Sequence, residues 1–135
     1  MDVAEQTYAN VTVIAPEGRV DHQSADEFAT LIAPYLERCE GEDCKLVLDL
    51  SGVDYMSSVG LRVLMVAAKQ ARSQGGTIVV SGLGETLHEI FQISRFDRVF
   101  TVFDGVRDAI AQISPGALSG YDRDSPLMST AGSGC

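Results

Sequence analysis

Residues 49–61 read Asp49-Leu50-Ser51-Gly52-Val53-Asp54-Tyr55-Met56-Ser57-Ser58-Val59-Gly60-Leu61, and this stretch decides the fold. The run before it, residues 46–50, is nearly all apolar, which is typical of a central strand covered on both faces. The residues after it predict an amphipathic helix over 58–73, because apolar side chains recur at i, i+3, i+4 and i+7 from Leu61 onwards. The stretch is therefore a strand-to-helix junction, where an α/β domain presents backbone N–H groups and hydroxyls to other molecules.

Two serines lie at this junction. Either Ser57 or Ser58 is expected to be the N-cap of the helix, with the other beside it and its hydroxyl near solvent. One interpretation is capping alone. The other is that one hydroxyl accepts a phosphoryl group, whose negative charge the helix dipole and the first-turn N–H groups accommodate without refolding.

Strands and helices alternate along the rest of the chain. Residues 3–8 and 10–15 predict a hairpin, and residues 24–39 predict a helix capped by Ser24 or Asp21. Pro34 inside that helix predicts a kink or two short helices, because proline removes one hydrogen bond of the helix. Later helices are predicted over residues 85–94 and after Asp104, which is expected to cap the last of them.

The junction resembles the signature of the STAS-domain family, and specifically that of the bacterial anti-sigma factor antagonists. That signature is an apolar strand ending in Asp-Leu/Phe-Ser, then an aromatic residue, Met or Ile, a Ser-containing triplet, and Gly-Leu before a long helix. Residues 18–21, 75–83 and 96–104 resemble further segments of the family, so that the resemblance covers residues 8–113. It implies an α/β fold, a single STAS domain over residues 1–113 with a mixed sheet of four to five strands packed with about four helices.

The resemblance also implies a phosphorylation site. Aligned on Met56 and Gly60-Leu61, the phosphorylated residue of the triplet is Ser58, with Ser57 as the alternative. Ser57 stands where the best-known members have Asp, and Val59 stands where they have a second hydroxyl residue.

By this resemblance the chain binds an anti-sigma factor serine kinase with a histidine-kinase-like ATPase fold and releases its sigma factor. Phosphorylation would switch it off, and a serine phosphatase would reset it. Asp21 is expected near the acceptor, as in relatives. The residues expected to contact the partner surround the acceptor: Asp21, Met56, Ser57, Ser58, Val59, Gly60, Arg62 and Val63.

Ser57 in place of Asp favours a second interpretation. In it the chain is a STAS scaffold that is never phosphorylated, such as an accessory subunit of a stressosome-like or transporter complex. A nucleotide-binding loop is a third possibility that the sequence neither supports nor excludes.

Catalysis by this chain is not expected. Ser57 and Ser58 lack the Gly-x-Ser-x-Gly of a nucleophile elbow, and the sequence contains no phosphate-binding Gly-x4-Gly-Lys-Ser/Thr loop. Residues 82–84 lack the third glycine of a dinucleotide turn. We therefore predict no catalytic residue and no cofactor.

Composition limits the class of protein. A chain of 135 residues suits one domain, and its net charge of −9 argues against nucleic-acid binding. It shows neither a basic, apolar leader nor eighteen consecutive apolar residues, so we expect a cytoplasmic protein without membrane insertion. Of the 22 residues from 114 to 135, 11 are Gly, Ser or Pro, which predicts a disordered C-terminal tail.

The three cysteines, Cys39, Cys44 and Cys135, are an odd number, which favours free thiols in a reducing compartment. Together with His22 and His88 they follow no recognised metal-ligand spacing. No metal site is therefore expected.

Overall fold

The structure, a computed structural model, describes residues 2–39, 41 and 44–124. Within these ranges strands and helices alternate for most of the chain. The strands are β1 (Asp2–Tyr8), β2 (Val11–Val20), β3 (Lys45–Asp49), β4 (Val53–Met56), β5 (Thr77–Ser81) and β6 (Val102–Phe103). The helices are α1 (Ala25–Glu37), α2 (Ser58–Ser73), α3 (Glu85–Ile93), α4 (Val106–Ile113) and α5 (Leu118–Asp124), with short 3-10 turns at Phe96–Arg98 and Pro115–Ala117.

The sheet is mixed, as predicted. Its order is β1-β2-β3-β5-β6, with β1 antiparallel to β2 and the other pairs parallel. The hairpin of β1 and β2 turns at Ala9, whose φ of 54° is the left-handed conformation. The long helix α2 begins and ends where its apolar periodicity predicts.

One strand, β4, lies within the strand-to-helix junction of residues 49–61 and was not predicted from the sequence. It pairs in parallel with the second half of β2, where Gly18 faces Val53 and Val20 faces Met56. Only four residues long, it lacks a periodicity of its own and forms because β2 continues past the end of its pairing with β3 and leaves a free edge there. With β4 the sheet has six strands.

The central strand β3 carries a core on both faces of the sheet. Leu46 and Leu48 join the larger cluster, which is covered by α1, α2 and α3. Val47 points to the opposite face, where it meets Ala109 and Ile110 of α4. A strand buried on both sides explains the continuous apolar run of residues 46–50.

Of the two outcomes predicted for Pro34, a kink or two short helices, the second is not observed, because α1 is one helix with Pro34 inside it. Pro34 and Thr30 both lie on the exposed side, so the Thr30 carbonyl that loses its donor can bind water. The opposite side is held by the buried residues Ala25, Phe28, Ile32 and Leu36. Packing of this face outweighs the cost of the proline, and the predicted break into two helices is wrong.

The predicted C-terminal tail is ordered in its first part. Residues 115–124 form a 3-10 turn and α5, and Ala117 is buried in the smaller cluster. The ring of Tyr121 packs edge-on against Tyr8 of β1, with the ring centroids 5.2 Å apart. The prediction of disorder is wrong for this segment, while residues 125–135 lie outside the described residues.

Two smaller predictions also need correction. The N-cap of α4 is Gly105 and not Asp104, and it makes no side-chain cap bond. Cys39 and Cys44 form a disulfide because the end of α1 and the start of β3 bring their Cα atoms to 5.1 Å. Two of the three cysteines are therefore not free thiols, and the third, Cys135, lies outside the described residues.

Candidate functional site

The predicted site lies where β2 and β4 end side by side. Val20 and Met56 are register partners, and the backbone N–H of Ser57 donates to the carbonyl of Val20 at 2.7 Å. The chain leaves β2 at Asp21 and leaves β4 at Ser57, so these two exits are neighbours. We call Asp21 and Ser57–Val59 the corner of the domain.

The two serines of the corner have different roles. Ser57 is the N-cap of α2: its backbone is extended (φ −78°, ψ 172°), and its Oγ accepts the backbone N–H of Gly60 at 3.2 Å. Its side chain is 3 % exposed. Ser58 is the first residue of α2 and is exposed. The hydroxyl that an incoming protein can reach is that of Ser58.

The first turn of α2 is pressed onto the strands beneath it. A Cβ added at Gly60 would lie 2.7 Å from Val20 Cγ1 and 2.7 Å from Met56 Cγ, closer than any real Cβ contact. Met56, Ser57 and Gly60 are all buried. These three residues were predicted to contact a partner, but in this structure they lie beneath the corner and support it.

Asp21 holds the other side of the corner. Its carboxylate oxygen accepts the backbone N–H groups of Gln23 and Ser24, both at 2.9 Å, and so caps the turn that leads into α1. Ser24 is formally the N-cap, but its own hydroxyl turns back to donate to the Arg19 carbonyl. Hydrogen bonds from the Ser24 backbone and hydroxyl, with the charge of Arg19, hold the pKa of Asp21 below its ordinary value.

A groove runs from the corner between α1 and α2. Its cavity volume is about 400 Å³. On the α2 side it is lined by Val59, Val63 and Val66, and on the α1 side by Ala29 and Ala33, among other residues. Val66 is 57 % exposed. The predicted contact residues Val59, Arg62 and Val63 all line this groove.

The α1 side of the groove was not predicted from the sequence. Asp26, Ala29 and Ala33 line it, and none had been singled out. The signal present in the sequence was the pair of alanines at i and i+4, beside the buried Phe28 and Ile32. Small residues there leave a gap between the helices that larger ones would fill.

Arg19 and Tyr55 were also missed. The Arg19 guanidinium lies over the Tyr55 ring, 4.2 Å from its centroid, and fixes a cation beside the corner on the β2–β4 pair. This contact depends on the pairing of β2 with β4, which the sequence did not reveal.

The electrostatics of the first turn of α2 favour an anion. No acidic residue lies in that turn, and its N–H groups carry the positive end of the dipole of a sixteen-residue helix. Arg62 is exposed and lies four residues after Ser58, on the same side of the helix. The geometry can therefore accept a phosphate on Ser58 without rebuilding the helix.

Other chemistry finds less support in the described part of the chain. Among residues 2–39, 41 and 44–124, no three His, Cys, Asp or Glu side chains cluster as metal ligands. None of the helices in those ranges has the length and apolarity needed to span a bilayer.

Comparison with known protein families decides the identity of the domain. Residues 2–109 match the STAS domain. The chain belongs to the STAS domain family. The fold class and the family that the sequence suggested are both confirmed.

Several proteins similar to this STAS chain are named as anti-sigma factor antagonists, whereas other structural neighbours are described as an anion transporter and a sulfate transporter family protein. BtrV of Bordetella bronchiseptica, named as an anti-sigma factor antagonist, is 35% identical over 102 residues, which is 76% of this chain and 84% of BtrV. A crystal structure described as an anti-sigma factor antagonist from Thermotoga maritima superposes with a TM-score of 0.74 at 20% identity, covering 82% of this chain and 93% of that one. The Bacillus protein SpoIIAA in its phosphorylated form superposes with a TM-score of 0.61 at 14% identity, covering 83% and 99%.

Proposed function

We propose that this STAS protein is an anti-sigma factor antagonist that binds an anti-sigma factor kinase and is switched off by phosphorylation at Ser58. The observation that carries the proposal is that the two serines have different roles. Ser57 uses its hydroxyl inside the fold as the cap of α2, whereas Ser58 offers an exposed hydroxyl on a fixed corner. A relative named as an antagonist supports the partner class.

The docking surface in this proposal is Ser58 with the groove beside it. Its apolar part is Val59, Val63 and the exposed Val66, and its polar rim includes Arg62 and Asp26. An apolar centre with a polar rim is the usual composition of a specific protein interface. Because Ser58 and Val59 are adjacent, a partner seated in the groove also covers the Ser58 hydroxyl.

Phosphorylation would then act on the interface and not on the fold. A phosphoserine carries nearly two negative charges, and the first turn of α2 stabilises them through its N–H groups and Arg62. The same charges, enclosed in a docked interface, lose their hydration, which costs several kcal/mol. Phosphate at Ser58 would also draw Arg62 away from any contact with the partner. Binding is lost while the domain stays folded.

The kinase, in this mechanism, supplies ATP and Mg²⁺ from its own site and releases the sigma factor when this chain docks. A serine phosphatase removes the phosphate and restores binding. Since the charge change lies in the contact surface itself, no second conformation of the STAS domain is required.

The test compares wild type, Ser58→Ala and Ser58→Asp as baits in lysate of the source organism, with mass spectrometry of bait and prey. Ser73→Asp is the matched control, because it adds the same charge to an exposed serine at the other end of α2. We expect wild type, Ser58→Ala and Ser73→Asp to recover an ATPase-type anti-sigma kinase, Ser58→Asp to lose it, and wild type to carry phosphate at Ser58.

Two results would contradict the proposal. Equal recovery of the kinase by Ser58→Asp would mean that charge at the corner does not control binding. Recovery of transporter or scaffold subunits by all baits, with Ser58 unmodified, would favour the STAS scaffold instead.

A further inference from the structure

We propose that Cys39 and Cys44 form a redox-reversible site that a small peptide thiol opens by attack on Cys44. The closed disulfide joins the end of α1 to the start of β3, beside the turn between α2 and β5. Nothing in the partner-switch function requires such a site. The disulfide lies near the end of the groove that is opposite Ser58.

The two cysteines differ in their exposure to solvent. Cys39 is completely buried, and its Sγ lies against the backbone of Gly76, where an added Cβ would be only 2.7 Å away. Cys44 is partly exposed and forms part of a surface depression of about 180 Å³. An attacking thiolate can therefore reach Cys44 and leave Cys39 as the departing sulfur.

The depression has the charges of a site for a small zwitterion. Arg38 and Glu5 both line it beside Cys44. Arg38 is held over the ring of Tyr35, 5.4 Å from its centroid, and the Tyr35 hydroxyl donates to Glu5 at 2.9 Å. A peptide thiol with free carboxylate and ammonium groups, of which glutathione is the standard probe, matches this pair: Arg38 faces a carboxylate and Glu5 an ammonium.

The reaction is thiol–disulfide exchange and needs no other reagent. A peptide thiolate bonds to Cys44 Sγ, the Cys39–Cys44 bond breaks, and its electron pair remains on Cys39, which takes a proton from water. A second thiolate attacks the peptide sulfur of the mixed disulfide and releases Cys44 as a thiolate, which is also protonated. Two peptide thiols are oxidised to one peptide disulfide, and the protein disulfide is reduced to two thiols. The peptide disulfide drives the reverse reaction.

Opening the disulfide would weaken a set of hydrogen bonds that joins α1, β3 and the α2–β5 turn, which we call the clasp. The Gln74 side-chain amide, after α2, donates to the carbonyls of Leu36 and Cys39, and the Gly41 N–H donates to the Gln74 carbonyl at 2.8 Å. The Thr77 N–H of β5 donates to the Cys44 carbonyl at 3.0 Å. Both cysteines thus hold hydrogen bonds that tie α1 and β3 to the α2–β5 turn.

The clasp borders the proposed docking groove. Two residues at this end line that groove. One is Leu36, whose carbonyl accepts a hydrogen bond from Gln74, and the other is Gln70, which lies one helical turn before Gln74. A change in how α1 is fastened therefore alters the width of the groove at this end. Redox state and partner affinity become coupled through the spacing of α1 and α2.

A reversible role fits this pair better than a permanent one. The closed ring is short, so the disulfide removes less entropy from the unfolded chain than one that closes a long loop. If the proposed function holds, the protein works beside a bacterial sigma factor, in a reducing compartment where disulfides are usually redox-sensing or catalytic. This last step rests on the proposed function, while the chemistry of the site does not.

The experiment uses the full chain with Cys135→Ser, which removes the third thiol. The folded protein is equilibrated with graded ratios of reduced to oxidised glutathione, then acid-quenched, alkylated and analysed by mass spectrometry. We expect the disulfide to convert reversibly to two thiols across these ratios. Hydrogen exchange on the same samples should show the Gly41 and Thr77 amides losing protection on reduction.

Single variants test which sulfur is attacked. In the same background, Cys39→Ser should carry glutathione on Cys44, whereas Cys44→Ser should leave Cys39 unmodified until urea unfolds the chain. Arg38→Gln should slow reduction by glutathione about tenfold but leave reduction by uncharged 2-mercaptoethanol unchanged.

Three results would overturn the proposal. A folded disulfide that resists excess glutathione, while the unfolded chain is reduced, would make it a permanent staple. Thiols that stay reduced at every ratio would show that the pair does not close. Glutathione on Cys39 in the folded protein would contradict the assigned attack. No anti-sigma kinase is needed for these measurements, so their failure is distinguishable from failure of the Ser58 switch.

Discussion

The Ser57 N–H donates to the Val20 carbonyl at 2.7 Å, and this bond sets two chain exits side by side. Its effect is to place the capped turn at Asp21 next to the first turn of α2. The side chains of the corner therefore follow directly from β2 and β4, which pair in parallel and hold them in place. A rigid corner of this kind presents one hydroxyl in one orientation, which is what a surface read by another folded protein requires.

Alanine substitution should separate the two serines by their effect on stability. Ser57→Ala removes the cap bond to Gly60 and should lower the free energy of unfolding by about 1 kcal/mol. Ser58→Ala, at an exposed position, should change it by less than about 0.5 kcal/mol. Urea titration of both variants measures the difference. Equal losses would mean that the two hydroxyls do not have the roles assigned here.

Glycine-to-alanine substitution should have opposite effects in two helices. Gly60→Ala forces a Cβ against Val20 and Met56, and we expect a loss of about 1–3 kcal/mol. Gly120→Ala in α5 meets open space and should stabilise the protein by up to about 1 kcal/mol. Thermal unfolding of the two variants beside wild type gives the comparison, and stabilisation by Gly60→Ala would show that α2 can lift from the strands.

Charge placed in the groove should weaken binding of the proposed partner, an anti-sigma kinase. Val66→Glu sets a carboxylate on the groove wall, and affinity should fall about tenfold or more. Ile93→Glu is the matched control, because Ile93 is 83 % exposed and lies in α3, outside the groove. Titration calorimetry with the purified kinase measures both. If Ile93→Glu weakens binding as much as Val66→Glu, the docking surface is elsewhere.

Asp21 should contribute to the acid sensitivity of the fold. Because its pKa is lowered in the folded state, its contribution to stability is complete above the pKa of the unfolded chain and is lost as pH falls through the folded value. Wild type should therefore lose stability below about pH 4, and Asp21→Asn should lose less over the same range. Urea titrations between neutral and acidic pH measure this slope. Asp54→Asn, at an exposed position of β4, controls for the change in net charge, and an unchanged slope for Asp21→Asn would refute the assignment.

The ordered start of the predicted tail can be tested at Tyr121. Tyr121→Ala deletes the edge-on contact with Tyr8 and should cost about 1–3 kcal/mol of unfolding free energy. Ser119→Ala, an exposed position in the same helix, should be nearly neutral. Chemical denaturation of both variants checks this, and equal stability of Tyr121→Ala and wild type would mean that α5 does not pack on the sheet.

The sequence was most informative where burial and periodicity coincide. Residues 46–50 predicted a strand covered on both faces, and the apolar spacing after Leu61 predicted α2 with its correct limits. Both signals come from a side-chain pattern that the local chain sets by itself. The choice between Ser57 and Ser58 as the cap stayed open, because it depends on which residue continues the extended backbone of β4.

Several of the failures share a physical cause, which is contact between distant segments. The strand β4 exists through its pairing with β2. Helix α5 is rich in polar residues and is held by Tyr121 against Tyr8, more than a hundred residues away in sequence. The groove wall on α1 is made of alanines that signal nothing until α2 packs beside them.

The fixed corner has a consequence for how the proposed kinase would recognise Ser58. With Ser57 buried and Gly60 pressed onto Val20, the residues flanking Ser58 cannot be drawn out into an extended strand without breaking the start of α2. A short peptide with the sequence of residues 52–63 would contain the same residues but would lack this folded conformation. The proposed kinase must then recognise a folded surface. A substrate consensus derived from linear sequence would miss proteins that share the corner, and it would include peptides that lack the corner.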